Sequence, residues 1–440
     1  MHARTKIRFR FDDPNLIGYA GLVPIMALAA RCGLDRLTCR LLTVPGSARA
    51  NAWLKVPAIV AGMAAGADSI DDLDRLRHGA MGRVFGGIRT PSTLGTFLRA
   101  FTWGHVRQLE QVARTVTAAL PGHAPVLSGA ATYTLVDADS TIRQVFGYAK
   151  QGASYGYTKV KGPHPLLAVA STPTPTPTPA PLVVACRPRE GRAGAARGAA
   201  SFVAEALGTA RAAGATGLVP FRADSAFYSA TVVAACRRAG ARFSITVRID
   251  AAVRRAIATI PDTTWTAIRY PRAVWDDDEQ RFISDARIAE VHYTAFTSHR
   301  EAEQVTGRLL VRRVRRLNPA SVPHGQGELF TVYRYHAAFT DSDLEPVQAD
   351  ATQRAHAIVE QVIAGLKASA LAHLPSGRFA ANAAWLVLAC LAFNLTRAAG
   401  VLASRIHAKA TTATIRDELI HIAEWAHYRY QVREYLHRRR

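Results

Sequence analysis

Three acidic side chains stand where strand-like or helical runs should present them: Asp139 in Val136-Asp-Ala-Asp-Ser-Thr141, Asp224 in Phe221-Arg-Ala-Asp-Ser225 and Glu360 in His356-Ala-Ile-Val-Glu-Gln-Val362. Strand ends in an open α/β sheet are where ligands bind. Hard divalent cations take carboxylate oxygens, and two such ions a few ångströms apart activate an attacking oxygen and stabilise a leaving one in phosphodiester transfer. Three converging carboxylates suit that chemistry, although spacing alone does not single out this triple among 33 acidic residues. Asp137 competes with Asp139, because residues two apart on a strand point the same way. On the helix, positions 356, 360 and 367 are spaced so that His356, Glu360 and Lys367 are predicted to share one face.

A different pattern, Gly152-Ala-Ser154-Tyr-Gly156, matches the G-x-S-x-G of a hydrolase nucleophile elbow, which needs a helix after the serine. Gly162, Pro163 and Pro165 exclude that helix. A serine hydrolase also leaves the charge unexplained: 55 Lys and Arg stand against 33 Asp and Glu, a net +22 over 440 residues. Such a surplus calls for a polyanionic partner. With seven lysines, the usage is Arg-heavy in a way a GC-rich coding sequence also produces, so net charge carries the inference. Basic residues cluster from Arg308 through Arg312 and Arg313 to Arg316, and from Arg429 to Arg440 among Tyr428, Tyr430 and Tyr435; Lys150, Lys159 and Lys161 follow the first strand. Such runs neutralise phosphates and release counterions, and any one of them alone is also what a solvated face looks like.

On these residues the chain resembles a bacterial insertion-sequence DDE transposase, of the class whose catalytic domain is RNase H-like with a large β insertion between the second Asp and the Glu. Asp139-Ser140-Thr141, Arg222-Ala-Asp224-Ser-Ala-Phe227 and the Glu360 helix ending in Lys367 carry the likeness, which spans about residues 130 to 400. The family's third motif is Y-x2-R-x3-E-x6-K. Here Glu360 and Lys367 keep their six intervening residues, while His356 takes the Arg position, Gln353 the Tyr position, and Arg354 stands two residues before His356. The resemblance selects Asp139, directly before the Ser-Thr pair, and leaves Asp137 as a supporting acid. It implies that Asp139, Asp224 and Glu360 bind two Mg²⁺ or Mn²⁺ ions, that water first nicks the DNA, and that the freed 3′-hydroxyl then attacks a phosphodiester in line. It further implies double-stranded DNA partners, namely terminal inverted repeats and target DNA, and a homodimer holding both ends. Lys367, His356, Arg354, Arg312, Arg313, Lys159 and Lys161 are the residues expected on DNA. Hairpin-forming relatives stack a flipped base on aromatic side chains in or near the insertion, which makes Trp265 and Trp275 candidates, with packing of the insertion's own core as the alternative. A catalytically inactive DNA-binding protein or regulator derived from a transposase is the second reading, favoured by His356 and Gln353.

The expected fold class is α/β, an RNase H-like mixed sheet with a β-rich insertion, flanked by an all-helical N-terminal domain and C-terminal helices. Residues 1–128 read as a helical DNA-binding domain, with apolar residues at three and four spacing (Leu54, Ala58, Ile59, Met63) and a helix start at Pro91-Ser92-Thr93. Pro121 to Gly129 reads as a linker. Residues 129–250 form the first part of the catalytic core, interrupted by a stiff Thr-Pro repeat from Thr172 to Pro179; 251–345 form the insertion; 346–403 carry one helix from Asp350 to Leu374 and an apolar one from Arg378 to Ala403; 404–440 form a basic helical tail. The apolar runs Leu16 to Ala30 and Phe379 to Leu395 are read as buried helices, since Pro24 breaks the first and Asn382 and Asn394 interrupt the second. Five cysteines without a C-x-x-C pair suggest neither a disulfide framework nor a zinc site, and with a charged start they lead to the expectation of a cytoplasmic, nucleoid-associated protein.

Overall fold

The computed structural model describes residues 14–46, 50–147, 149–156, 159–173, 180–194, 196–269, 275–277, 281–282, 286–315 and 333–425. Most of the Thr-Pro repeat, Arg316, and the basic segment from Arg429 to Arg440 with its tyrosines lie outside them. A short strand, β1 (Leu16–Ile17), precedes six helices: α1 (Leu22–Arg31), α2 (Leu34–Leu41), α3 (Ala52–Ala64), α4 (Met81–Val84), α5 (Pro91–Arg99) and α6 (Trp103–Ala119). Pro91 opens α5, where a missing N–H removes no bond, and the Thr90 hydroxyl accepts from Thr93 N. Thr102 and His105 cap α6 reciprocally. The segment expected as a linker instead buries Ala124, Val126 and Leu127, because its apolar side chains find cover in the core.

Next come β2 (Leu135–Ser140), the hairpin strands β3 (Ser154–Tyr155) and β4 (Lys161–Gly162), then β5 (Leu166–Ser171), β6 (Leu182–Arg187), α7 (Ala199–Ala212), β7 (Pro220–Ala223), α8 (Ala230–Arg238), β8 (Arg242–Val247) and α9 (Ala251–Ala258). Strands β9 (Thr266–Ile268), β10 (Trp275–Asp276), β11 (Arg281–Phe282), β12 (Ala286–Ala295), β13 (Val305–Arg315) and β14 (Tyr333–Thr340) follow. The chain closes with α10 (Pro346–Arg354), α11 (Ala357–Lys367), α12 (Phe379–Ala403), α13 (Thr412–Ile415) and β15 (Glu424–Trp425), the last paired antiparallel with β1.

Nine strands make one mixed sheet in the order β6-β5-β2-β7-β8-β14-β13-β12-β9. β2, β7 and β8 run parallel to one another, and the other neighbours are antiparallel. β5 is buried along its whole length, which is why Leu166 to Ser171 reads as an apolar run without alternation. Most of the β-rich segment extends the main sheet, with β14 pairing with β8 from Ala337 to Thr340 and β13, β12 and β9 continuing outward, while β10 and β11 form a two-stranded sheet of their own. Only the outer end of the main sheet has a small cluster of its own, Ile268, Ala286 and Ile288.

α12 meets the length and composition of a membrane-crossing helix, with a mean hydropathy of 1.8, yet 83% of its most apolar stretch is buried within the protein. α1, α3, α5 and α6 surround it, and it also lies against β6. Asn394 fastens it there. Its side chain accepts from Val183 N (2.8 Å) and donates to Val183 O (2.9 Å) and Thr117 Oγ1 (3.0 Å). β6 is the edge strand, so this amide supplies the pairing a further strand would give.

The single helix expected from Asp350 to Leu374 is two. The Arg222 guanidinium donates to the carbonyls of Thr352 and Ala355, which a continuous helix would turn toward His356 and Val359. His356 N and Val359 N bond instead to Gln353 O and His356 O, and the chain bends between α10 and α11.

Candidate active site

β2 and β7 are parallel neighbours with Val136, Asp137 and Ala138 opposite Phe221, Arg222 and Ala223. One further step of that register sets Asp139 beside Asp224 at adjoining C-terminal strand ends. The Asp139 carboxylate accepts from Ser140 N (2.6 Å), and Asp224 turns the chain out of the sheet by accepting from Ala226 N (3.0 Å). Glu360 stands exposed in the first turn of α11, which lies over β2 and β5. Burial pushes the Asp139 carboxyl up to about 6; the Asp224 and Glu360 charges add to the rise, and the Ser140 N–H and His356 oppose it. Burial also raises Asp224, against the Ala226 N–H, His356 and Arg248.

Beneath these groups lies a buried ion pair. Arg222 Nε and Nη2 donate to the two Asp137 oxygens at 2.6 and 2.7 Å, and Asp137 Oδ1 also lies 3.0 Å from His356 Nδ1. Both partners are almost wholly enclosed, Asp137 at 0% and Arg222 at 1% exposure. Asp137 is thereby committed to protein groups, as the supporting acid expected. The motif reading does not single out Arg222 as a structural residue, although an arginine inside the apolar run from Val219 to Ala223 signals a buried counter-ion.

The helix break alters the expected shared face. His356 is the N-cap residue of α11, with its ring turned toward Asp137 and its Nε2 buried without a hydrogen-bond partner, while Glu360 and Lys367 occupy the first and last turns. Lys367 is half-buried, and burial together with Arg143 lowers its pKa against the pull of Asp139. Asp139, Asp224, Glu360, His356 and Lys367 therefore gather in one region. The remaining candidates lie elsewhere. Arg312 and Arg354 share Asp350, each at 2.7 Å. Arg313 pairs with Asp262 (3.0 Å) and covers the Trp265 ring, its guanidinium carbon 4.2 Å from the centroid. Trp275 is exposed in β10, and Lys159 and Lys161 belong to the β3–β4 hairpin, where Lys161 Nζ donates to Gly147 O (3.3 Å). In that hairpin the Ser154 hydroxyl accepts from Arg192 N (2.9 Å), no helix follows it, and a Cβ on Gly156 or Gly191 would strike neighbouring backbone. Close packing accounts for the G-x-S-x-G pattern.

Among the described residues no three His, Cys, Asp or Glu side chains form a ready-made ion cage. The donor chemistry nevertheless suits a hard divalent cation, since the donors are carboxylate oxygens and Asp139 is disfavoured as an anion by burial and by two like charges that such an ion would offset.

A large mixed sheet with carboxylates at adjoining parallel strand ends defines an α/β protein with an acidic site on the sheet's C-terminal edge. Family comparison is more specific: the Transposase DDE domain group 1 model matches residues 1–431, and the chain belongs to that family. No curated protein matches it. The match takes in the N-terminal helices as well as the region on which the sequence resemblance rests. Membership makes the protein a transposase, a DNA-binding protein of recombination in a family that generally uses divalent metal ions.

Proposed function

We propose that the protein cuts DNA at the ends of a mobile element and joins the freed 3′ ends to target DNA, with Asp139, Asp224 and Glu360 as its catalytic carboxylates. The observation that carries this reading is the parallel register of β2 and β7, which sets Asp139 and Asp224 at adjoining strand ends, with Glu360 near enough for its charge to add to the rise of the buried Asp139 carboxyl. Two Mg²⁺ or Mn²⁺ ions bound by these side chains would supply Lewis-acid charge to the reacting phosphate oxygens. Asp137, Arg222 and His356 fix the end of β2 against the start of α11 and so hold Glu360 within reach of the aspartates. Lys367 binds a backbone phosphate beside them. Water and then a 3′-hydroxyl are the nucleophiles, each attacking in line, so the side chains position and neutralise and form no covalent intermediate.

The parallel β2, β7 and β8, with β5 and β6 on one side, support an RNase H-like core in which β9 to β14 are the insertion. On this reading the N-terminal helices bind the inverted repeats, a homodimer holds both ends, and the protein works on the nucleoid in the cytoplasm. Incubating end-containing duplex DNA with Mg²⁺ or Mn²⁺ tests the site: Asp139→Ala, Asp224→Ala and Glu360→Ala each lower cleavage roughly 100-fold or more, the loss of several kcal/mol of charge stabilisation. Undiminished cleavage by any of them removes that residue from the site. The substitution of His356 for the family's arginine favours the second reading, a DNA-binding derivative without catalysis, which predicts equal affinity for end and random DNA and no cleavage under Mn²⁺.

A further inference from the structure

Two hollows run together beside the carboxylates. The first, a narrow hollow, begins at Thr141, two residues beyond Asp139, and has apolar walls from Val145, Leu371 and Leu386. It also holds Arg143, whose Nε is buried without a hydrogen-bond partner, and Lys367, which has no hydrogen bond or ion pair among the described residues. The second, about 510 Å³ and open to solvent, is lined by Trp103, Arg187, Arg192 and Arg197. Pro188, Arg189 and Phe379 line both, which makes one groove from the end of β2 to the first residues of α6 and α12.

The outer part of the groove is positive and aromatic. Glu205 balances Arg187 (2.8 Å), and Glu190, the one acid lining the outer hollow among the described residues, stands 4.0 Å from Arg192, while Arg197 is exposed. Trp103 is 44% exposed and lies over Phe379 with ring centroids 5.9 Å apart at 25°. An exposed aromatic ring set among arginines in a hollow marks an interaction site. Arginines alone would fit duplex DNA, but a duplex hides the faces of its bases, and an aromatic ring stacks only on a base that has left its pair.

We propose that this groove binds an unpaired stretch of DNA strand leading away from the carboxylates, with a base stacked at Trp103 and phosphates on Arg192, Arg197 and, nearer the site, Arg143 and Lys367. The direction of the strand rests on the proposed DNA-cutting site; the binding itself does not. The test uses the full chain in EDTA, with fluorescence anisotropy of a labelled single-stranded oligonucleotide and of the same sequence as duplex. Trp103→Ala weakens single-strand binding about tenfold and Trp103→Phe much less, while duplex affinity holds within about twofold. Replacing Arg192 and Arg197 by Ala lowers the salt dependence by about 0.7 per arginine in log–log slope. An unchanged thermal melt shows that the Trp103 variants are folded. Equal single-strand affinity of wild type and Trp103→Ala overturns the proposal, and so does an equal loss on duplex, which would make the groove a duplex surface. A chain that shows the Trp103 effect yet never cleaves DNA keeps the groove and loses the proposed function; cleavage without the Trp103 effect does the reverse.

Discussion

Asp137 and Asp139 are two residues apart on one strand and have opposite fates. Asp137 is neutralised by Arg222 and bonded to His356, while Asp139 has one backbone N–H and two like charges around it. The Ser-Thr pair after Asp139 separates them in the sequence; Arg222 inside its apolar run signals a buried counter-ion, and only β7 lying beside β2 makes Asp137 its partner. The crowding at Asp139 carries a stability consequence in the metal-free protein. A carboxyl raised on folding to about 6, from about 3.9 unfolded, leaves stability intact below about pH 4 and takes it away as the pH climbs through 6. Asp139→Asn keeps an acceptor for Ser140 N and removes the charge, so at pH 7 in EDTA the variant is expected to be more stable than wild type by up to about 3 kcal/mol, the difference vanishing near pH 4. Urea denaturation at both pH values reads this directly, and a wild type that is the more stable at pH 7 contradicts the crowding.

At the scale of elements, apolar periodicity located most helices and strands, and it failed where a distant side chain intervened. Nothing in residues 350 to 374 announces the break at Ala355 and His356, because the group that captures the Thr352 and Ala355 carbonyls is Arg222, from another strand. α12 shows the converse. Asn394 in an apolar run argued against a lipid environment, and the structure reveals its partner, the outward backbone groups of Val183 on edge strand β6. Asn394→Leu leaves the Val183 N–H and C=O and the Thr117 hydroxyl without their bonds, and should cost about 3 kcal/mol. A urea midpoint that barely moves would show that water replaces the amide.

For the whole molecule, the decisive feature is a core continuous from Ile17 to Ile420. The N-terminal helices cover α12, and α12 in turn backs the edge of the sheet that carries Asp139. A fragment beginning at residue 129 would expose the apolar side of α12 that α1, α3, α5 and α6 now cover. It is expected to aggregate on size-exclusion chromatography where the full chain elutes as a defined species; a monodisperse fragment would establish the helices as a separable unit. The same packing brings Trp103, from the first helical region, to Phe379, from the last, and thereby adds an aromatic surface to a basic groove.

Sequence by itself determined the chemistry available: a surplus of +22 that calls for a polyanion, and the motif residues Asp139, Asp224, Glu360 and Lys367. The charge is a property of composition alone, and the motif residues become legible when the family resemblance is added to residue type and spacing. Tertiary structure alone decided which acid is neutralised, which arginines are taken by Asp350 and Asp262, where the Glu360 helix begins, and which tryptophan ring is covered. Each of those depends on groups far apart in the chain, and a buried charge or an open ring face is set by what packs against it.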